Sequence, residues 1–304
     1  MKHSLRLLMA SICLLAAPLS AQTYLSSYPY ISGNTFRAFC AFKFDVYESF
    51  DPQDVQDADT VFVNTSMLAT FFTTMHPAIQ CPYILVTHNN DAAIPGAYVH
   101  YLDDEKIVAW FGQNADPSSH QKVFHLPIGM ANMEHSYGNI TSMTAAITKS
   151  HALTKNNDPK KLLYMNFKRS EKRGNRSEIF KLFYKKDFCT YAERKEYPQY
   201  LAEMATFKCV LSPEGFGMDC YRTWEALLVG CIPVIKSCPL NSMFEDLPVI
   251  IVNDWKQVNK TFLEKKYKEL THPSKQYNFE KLFIDYWLKK IQDVQDTFRT
   301  QHAC

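Results

Sequence analysis

The amino-acid sequence predicts an α/β protein built of two doubly wound, Rossmann-like domains facing a cleft. Three observations carry this. Apolar runs of four or five residues recur along the chain, separated by segments of helix length, which is the pattern of parallel strands buried on both faces. A polar stretch at residues 155–160 interrupts the pattern. The same alternation then restarts, giving two tandem α/β units. With 304 residues, 46% hydrophobic and 21% charged, the chain has the length and apolar content for packed cores, which argues against a mainly disordered protein.

In the first unit, taken as residues 22–154, residues 60–63 read as a strand and 66–75 as a helix ending near Pro77. A second strand at 83–87 runs into His88, Asn89, Asn90 and Asp91; strands at 107–111 and 123–126 follow, the last closing at Pro127 and Gly129. In the second unit, residues 155–270, strands are expected at 162–166, 208–211, 232–235 and 249–252, with helices at 177–185, 197–205 and 221–228. Over residues 271–304, Phe279, Phe283, Trp287, Ile291, Val294 and Phe298 fall at helical spacing, so an amphipathic helix is expected to pack on the body.

The N-terminus has the pattern of a signal peptide: Lys2 and Arg6 ahead of an uncharged apolar run at 7–19, then Ser20 and Ala21. The run is short for a spanning helix, so cleavage after Ala21 is preferred to an uncleaved anchor. Beyond residue 21 the basic and acidic residues balance, which excludes a nucleic-acid binder or a ligand of anionic membranes. Eight of the nine cysteines lie beyond this segment, an even number that permits disulfides in an exported chain, and no C-x-x-C pair marks a zinc site. Sequons stand at Asn64, Asn139, Asn175 and Asn259.

Chemistry concentrates at residues 211–255. Three of the nine glycines, Gly215, Gly217 and Gly230, fall here. A strand ending at Leu211 leads through Ser212, Glu214 and the glycine loop to Asp219, the expected N-cap, and then to a helix. Such a strand–loop–helix junction lets the backbone approach a diphosphate, which the free N–H groups and dipole of the helix start attract. Arg222 and Glu225, three apart, share one helix face. An arginine grips phosphate in a bidentate way and a carboxylate accepts both ribose hydroxyls. The same spacing also describes a plain surface ion pair.

The run from Asp219 to Val234, with an Arg and a Glu on one helix before Gly230-Cys231-Ile232-Pro233-Val234, resembles the C-terminal signature of the exostosin-like glycosyltransferases. Ser212-Pro213-Glu214-Gly215 before it and residues 246–255 after it fit the same pattern. The resemblance implies a GT-B-like fold, a hexosyl- or pentosyltransferase, and a nucleotide-sugar co-substrate held by the second unit. It assigns Arg222 to the donor phosphate and Glu225 to the ribose.

The basic loop 166–176 follows a strand at the cleft edge. Its Lys168 and Arg169, nearest the strand end, are the preferred partners for the leaving diphosphate; Arg173 and Arg176 stay open. On the acceptor side an inverting transfer needs a general base. His88 or Asp91 is the first choice, the segment from Asn132 to Glu134 and His135 the second, and Asp116 the third. The triplet Asp57-Ala58-Asp59 precedes its strand and is taken as chance, so no metal or other cofactor is required.

These readings combine into a metal-independent glycosyltransferase of the secretory pathway, in the ER or Golgi lumen or secreted, acting on a glycan or glycoprotein. In a bacterium the periplasm or envelope takes their place. The alternatives are a non-catalytic nucleotide- or sugar-binding protein, and a periplasmic-type binding protein, against which the Arg222/Glu225 helix counts.

Overall fold

The computed structural model describes residues 26–155, 160–169 and 175–302. The expected signal segment, Lys172, Arg173, most of the polar stretch at 155–160, and Cys13 and Cys304 lie outside the described residues.

The first unit is a parallel sheet of β1 (Phe42–Phe44), β2 (Asp59–Asn64), β3 (Tyr83–His88), β4 (Ile107–Gly112) and β5 (Val123–His125), in that spatial order. Side chains alternate between two covers, as the period of a strand requires. Val61, Val63, Leu85 and Trp110 pack with Leu68, Phe71 and Phe72 of the β2–β3 connection. That connection is a short helix, α2 (Leu68–Thr70), running into a π-helical turn at Phe71–Met75. Phe62, Ile84, Val86 and Phe111 face the other way, toward α1 (Gly33–Phe39) and α8 (Ile284–His302), whose Phe36, Ile284, Trp287 and Ile291 complete that layer. The tail helix thus returns across the molecule to the first sheet; Gln295 donates to the Ala58 carbonyl at 2.8 Å.

The second unit is a parallel sheet in the order β10-β9-β8-β6-β7, formed by β6 (Lys161–Met165), β7 (Cys189–Tyr191), β8 (Phe207–Leu211), β9 (Ile232–Lys236) and β10 (Ile250–Val252). Tyr164 and Val210 join the layer of α3 (Ile140–Lys155), α5 (Tyr197–Met204) and α6 (Tyr221–Leu228). Leu163, Met165, Cys209 and Leu211 face α4 (Arg176–Phe183) and α7 (Lys260–Leu270). Gly230 lies just past the end of α6, and its φ of +70° suits a residue without a side chain.

The two sheets differ in winding. The chain leaves β6 for β7 on one side, then crosses back to β8 on the other, so the second sheet is doubly wound as expected. The first sheet advances in one direction throughout, which with right-handed crossovers places every connection on one face. Apolar runs announce parallel strands but not their spatial order. The disulfides that the cysteine count permits do not form among the described residues: all seven described cysteines are free thiols, and burial pushes Cys40, Cys189 and Cys209 up to about 12.

Candidate functional site

An open sheet leaves a crevice at the carboxyl ends of its strands where the winding reverses. In the second sheet that point lies between β6 and β8, and a cavity of about 480 Å³ opens there. Asn166 follows β6, and Gly215, Phe216 and Gly217 follow β8. Tyr221, Arg222 and Glu225 come from α6, and residues 194–197 from the β7–α5 connection. Asp91 and Ile128 of the first unit, with Ser136 and Tyr137 of the connecting segment, form the opposite wall.

The glycine loop is held from both sides. Arg176, at the start of α4, donates from Nε to the Glu214 carbonyl at 2.9 Å and from Nη2 to the Pro213 carbonyl at 3.2 Å. A side chain on Gly215 would begin 3.0 Å from that guanidinium, and one on Gly217 would begin 2.5 Å from Nδ2 of Asn114 in the first unit. Gly217 therefore admits a neighbouring side chain, a role beyond the ligand approach expected of it.

Asp219 is not the N-cap. Cys220 holds that position, without a side-chain cap. The Asp219 carboxyl, 4% exposed, instead receives the N–H of Ile128 at 2.8 Å, that of Cys220 at 2.8 Å and the indole N–H of Trp224 at 2.9 Å. Its own N–H donates to Asn114 Oδ1 at 3.0 Å. It joins the two units where the cavity begins. Burial raises its pKa to about 6, against the lowering effect of those donors.

Arg222 and Glu225 do share one face of α6 and both line the cavity. Arg222 lies over the Phe167 ring, 5.8 Å from its centre, and its buried Nε and Nη1 have no hydrogen-bond partner among the described residues. Glu225, 4% exposed, accepts from the Tyr200 hydroxyl at 3.0 Å. Burial raises its pKa to about 7, opposed by the Tyr200 hydrogen bond and by Arg222.

The other expected donor residues divide. Ser212 is buried and its hydroxyl bonds Thr223 at 2.9 Å, tying the end of β8 to α6. Glu214 contributes its carbonyl to Arg176 but does not line the cavity. Lys168 and Arg169 are exposed and lie outside the lining; Arg169 stacks on Phe180, 4.6 Å from the ring centre.

On the acceptor side Asp91 lines the cavity and His88 does not. His88 is 2% exposed; its Nδ1 accepts the Asn89 N–H at 2.8 Å, which leaves Nε2 to donate to the Pro127 carbonyl at 3.1 Å. Burial lowers its pKa to about 4. Nε2 thus ties the end of β3 to the segment after β5, and Nδ1 is taken up by the adjoining turn. Asn132 and Glu134 belong to a similar network: Asn34 donates to Glu134 at 3.0 Å, and Asn132 to Asn89 at 3.0 Å. His135 stacks on Tyr137 at 5.2 Å, and Asp116 caps a 3-10 turn by accepting from the Ser118 N–H. Asp57 and Asp59 sit at the start of β2 and receive Arg299 of α8, away from the cavity.

Sequence reasoning passed over Tyr197 and the cations Arg194 and Lys195, and left Arg176 open although the basic loop had been noticed. The strand β7 that delivers residues 194–197 carries no apolar run to announce it.

Residues 154–299 match the model of the RXYLT1 C-terminal domain. The match spans just under half of the chain and makes that part similar to the domain of an exostosin-like family. Among solved structures, the catalytic domain of Starch Synthase IV from Arabidopsis thaliana, bound to ADP and acarbose, is similar with a TM-score of 0.36 and 10% identity, over 79% of this chain and 69% of that one. No curated protein matches the sequence.

Proposed function

We propose that the protein transfers a sugar from a nucleotide-sugar donor held in this cavity to a hydroxyl of a glycan or glycoprotein. The observation that carries the reading is Arg222. A guanidinium with two buried N–H groups unsatisfied is costly to leave so, and a diphosphate seated between the glycine loop and the start of α6 would satisfy both. Glu225, one turn along the same face, is placed for the ribose. Arg176, Arg194, Lys195 and Arg222 gather positive charge around one cavity. That supports transfer without a metal, since charge building on the leaving diphosphate meets fixed cations.

Asp91, on the first-unit wall, is the base this reading assigns. As the acceptor oxygen bonds the anomeric carbon, the bond from that carbon to the phosphate oxygen breaks. The nucleoside diphosphate leaves with the electron pair and Asp91 takes the acceptor proton. The sugar is a hexose or pentose, as the family resemblance implies. The N-terminal apolar segment supports a place in the secretory pathway, with the ER or Golgi lumen supplying the donor.

A thermal-shift screen against nucleoside diphosphates and their sugar conjugates tests the reading. A ligand at 100 times its Kd is expected to add about 2.7 kcal/mol of stability. In a transfer assay Asp91→Asn should lose turnover but keep that shift. Stabilisation without transfer by the wild type would identify a non-catalytic binding protein; no stabilisation by any of them would end the donor-site reading.

A further inference from the structure

The two sides of the reaction stand on separate units, with Asp91 on the first and Arg222 on the second. Displacement at a sugar carbon needs base, carbon and leaving oxygen held in one geometry. A misplacement of about 1 Å can cost about 100-fold in rate. A side chain outside the cavity lining bonds to both sides: Asn114, which follows the end of β4.

Asn114 is 1% exposed, and its amide is used in both directions. Nδ2 donates to the Asp91 carbonyl at 3.3 Å, and Oδ1 accepts the Asp219 N–H at 3.0 Å. Asp219 stands just ahead of α6, the helix that carries Arg222. One planar amide therefore runs from the backbone of the candidate base to the backbone that begins the donor helix. The Asn114 carbonyl also accepts the Ile94 N–H at 3.2 Å, which holds the loop after Asp91 against the end of β4. Beside it the buried Gln113 brings Nε2 to 3.5 Å from the Asp91 carboxyl.

The residue type suits the place. At φ +53° the Asn114 backbone is left-handed, a conformation asparagine adopts more readily than most residues. A carbonyl and an N–H must be satisfied at once, and an amide offers one donor group and one acceptor. An ionised aspartate only accepts, and an apolar side chain does neither.

We propose that Asn114 is a positioning residue that sets the placement of Asp91 relative to the diphosphate site at the start of α6. It acts through Asp91 and Asp219 and touches no substrate. The inference rests on the donor and base readings above and adds the residue that couples them.

The test compares wild type with Asn114→Gly and Asn114→Asp. Glycine keeps the left-handed backbone without strain and removes both side-chain bonds. Aspartate keeps the shape and the bond from Asp219 but, when ionised, cannot donate to Asp91. Calorimetry gives affinities for ADP, CDP, GDP and UDP. Turnover is the release of those diphosphates from their glucose and xylose conjugates, with water or a panel of methyl glycosides as acceptor. Both variants should melt cooperatively and bind the diphosphate within about threefold of wild type. At saturating donor both should turn over about 100-fold more slowly. Binding weakened as much as turnover would make Asn114 a support of the glycine loop instead. Unchanged turnover, or loss of folding in both variants, would equally overturn the proposal. A wild type that binds nucleotides but turns over no conjugate would instead remove the transferase reading on which it rests, and full turnover by Asp91→Asn would remove the base.

Discussion

Arg37 in the first unit and Arg222 in the second both carry buried guanidinium nitrogens, and the chain treats them oppositely. Arg37, 2% exposed, donates from Nε to Asp45 at 2.6 Å and from Nη2 to Glu48 at 2.8 Å. Arg222 has two buried nitrogens with no partner among the described residues. The same contrast runs through the two units. His88, Asn89, Asn132 and Glu134 are closed into hydrogen bonds in the first, whereas in the second Arg222, which lines the cavity, keeps two nitrogens without a hydrogen-bond partner among the described residues. A satisfied polar network holds a fold together; an unsatisfied one lining a cavity awaits a ligand. Strand order follows the same division, since only the second sheet reverses direction and so leaves a crevice.

The contrast can be broken by substitution. Arg37→Met should cost about 3–5 kcal/mol, because it strands the buried Asp45 carboxylate, and chemical denaturation will read it. Arg222→Met should leave the unliganded protein as stable as wild type or more so, while transfer falls about 100-fold, equivalent to about 2.7 kcal/mol. Denaturation curves that moved alike for both variants would erase the distinction between them.

A pH titration sharpens it. Glu225 and Asp219 carry raised pKa values, about 7 and about 6, so the folded state keeps protons the unfolded chain gives up. Their contribution is full below about pH 4 and is lost as pH rises to about 7. His88 acts in the opposite sense: with its folded value lowered to about 4, its contribution is present above about 6.5 and lost as pH falls. The wild-type curve mixes the two slopes. Glu225→Gln isolates one, and its stability relative to wild type should rise by on the order of 2 kcal/mol between pH 4.5 and 7. A difference that does not change with pH would mean that Glu225 is ionised throughout.

The smallest effect belongs to Lys168 and Arg169. Alanine at either should change donor affinity less than about twofold; Arg169→Ala should also lose about 0.5–1 kcal/mol of stability with its Phe180 contact. Both were chosen from sequence because they lie nearest the end of β6. Neither is in the cavity lining, whereas Arg176 is, and it reaches the glycine loop from the start of α4.

The sequence made the long strands legible because β2, β3, β4, β8 and β9 are mostly buried and each carries a run of apolar residues. β1 and β7 are three-residue edge strands, of which only Phe44 is buried, too short to give an apolar run. α7 escaped for a related reason, since Leu263 is its one buried residue. In the site, the Arg222/Glu225 face could be read from spacing alone. Asp219 could not, because its partners Ile128 and Asn114 lie some 90 and 105 residues away in sequence. Tyr197 reads in sequence only as the first residue of a helix, and only the fold brings it to the cavity beside Glu225.

Amide hydrogen exchange, with and without a nucleoside diphosphate that stabilises the protein, tests the central claim most directly. Bound ligand should slow exchange at residues 215–225 and 194–200, around the unpartnered groups of the second unit, and leave the segment around His88 unchanged. Protection centred on the first sheet, with residues 215–225 unaffected, would contradict the placement of the donor.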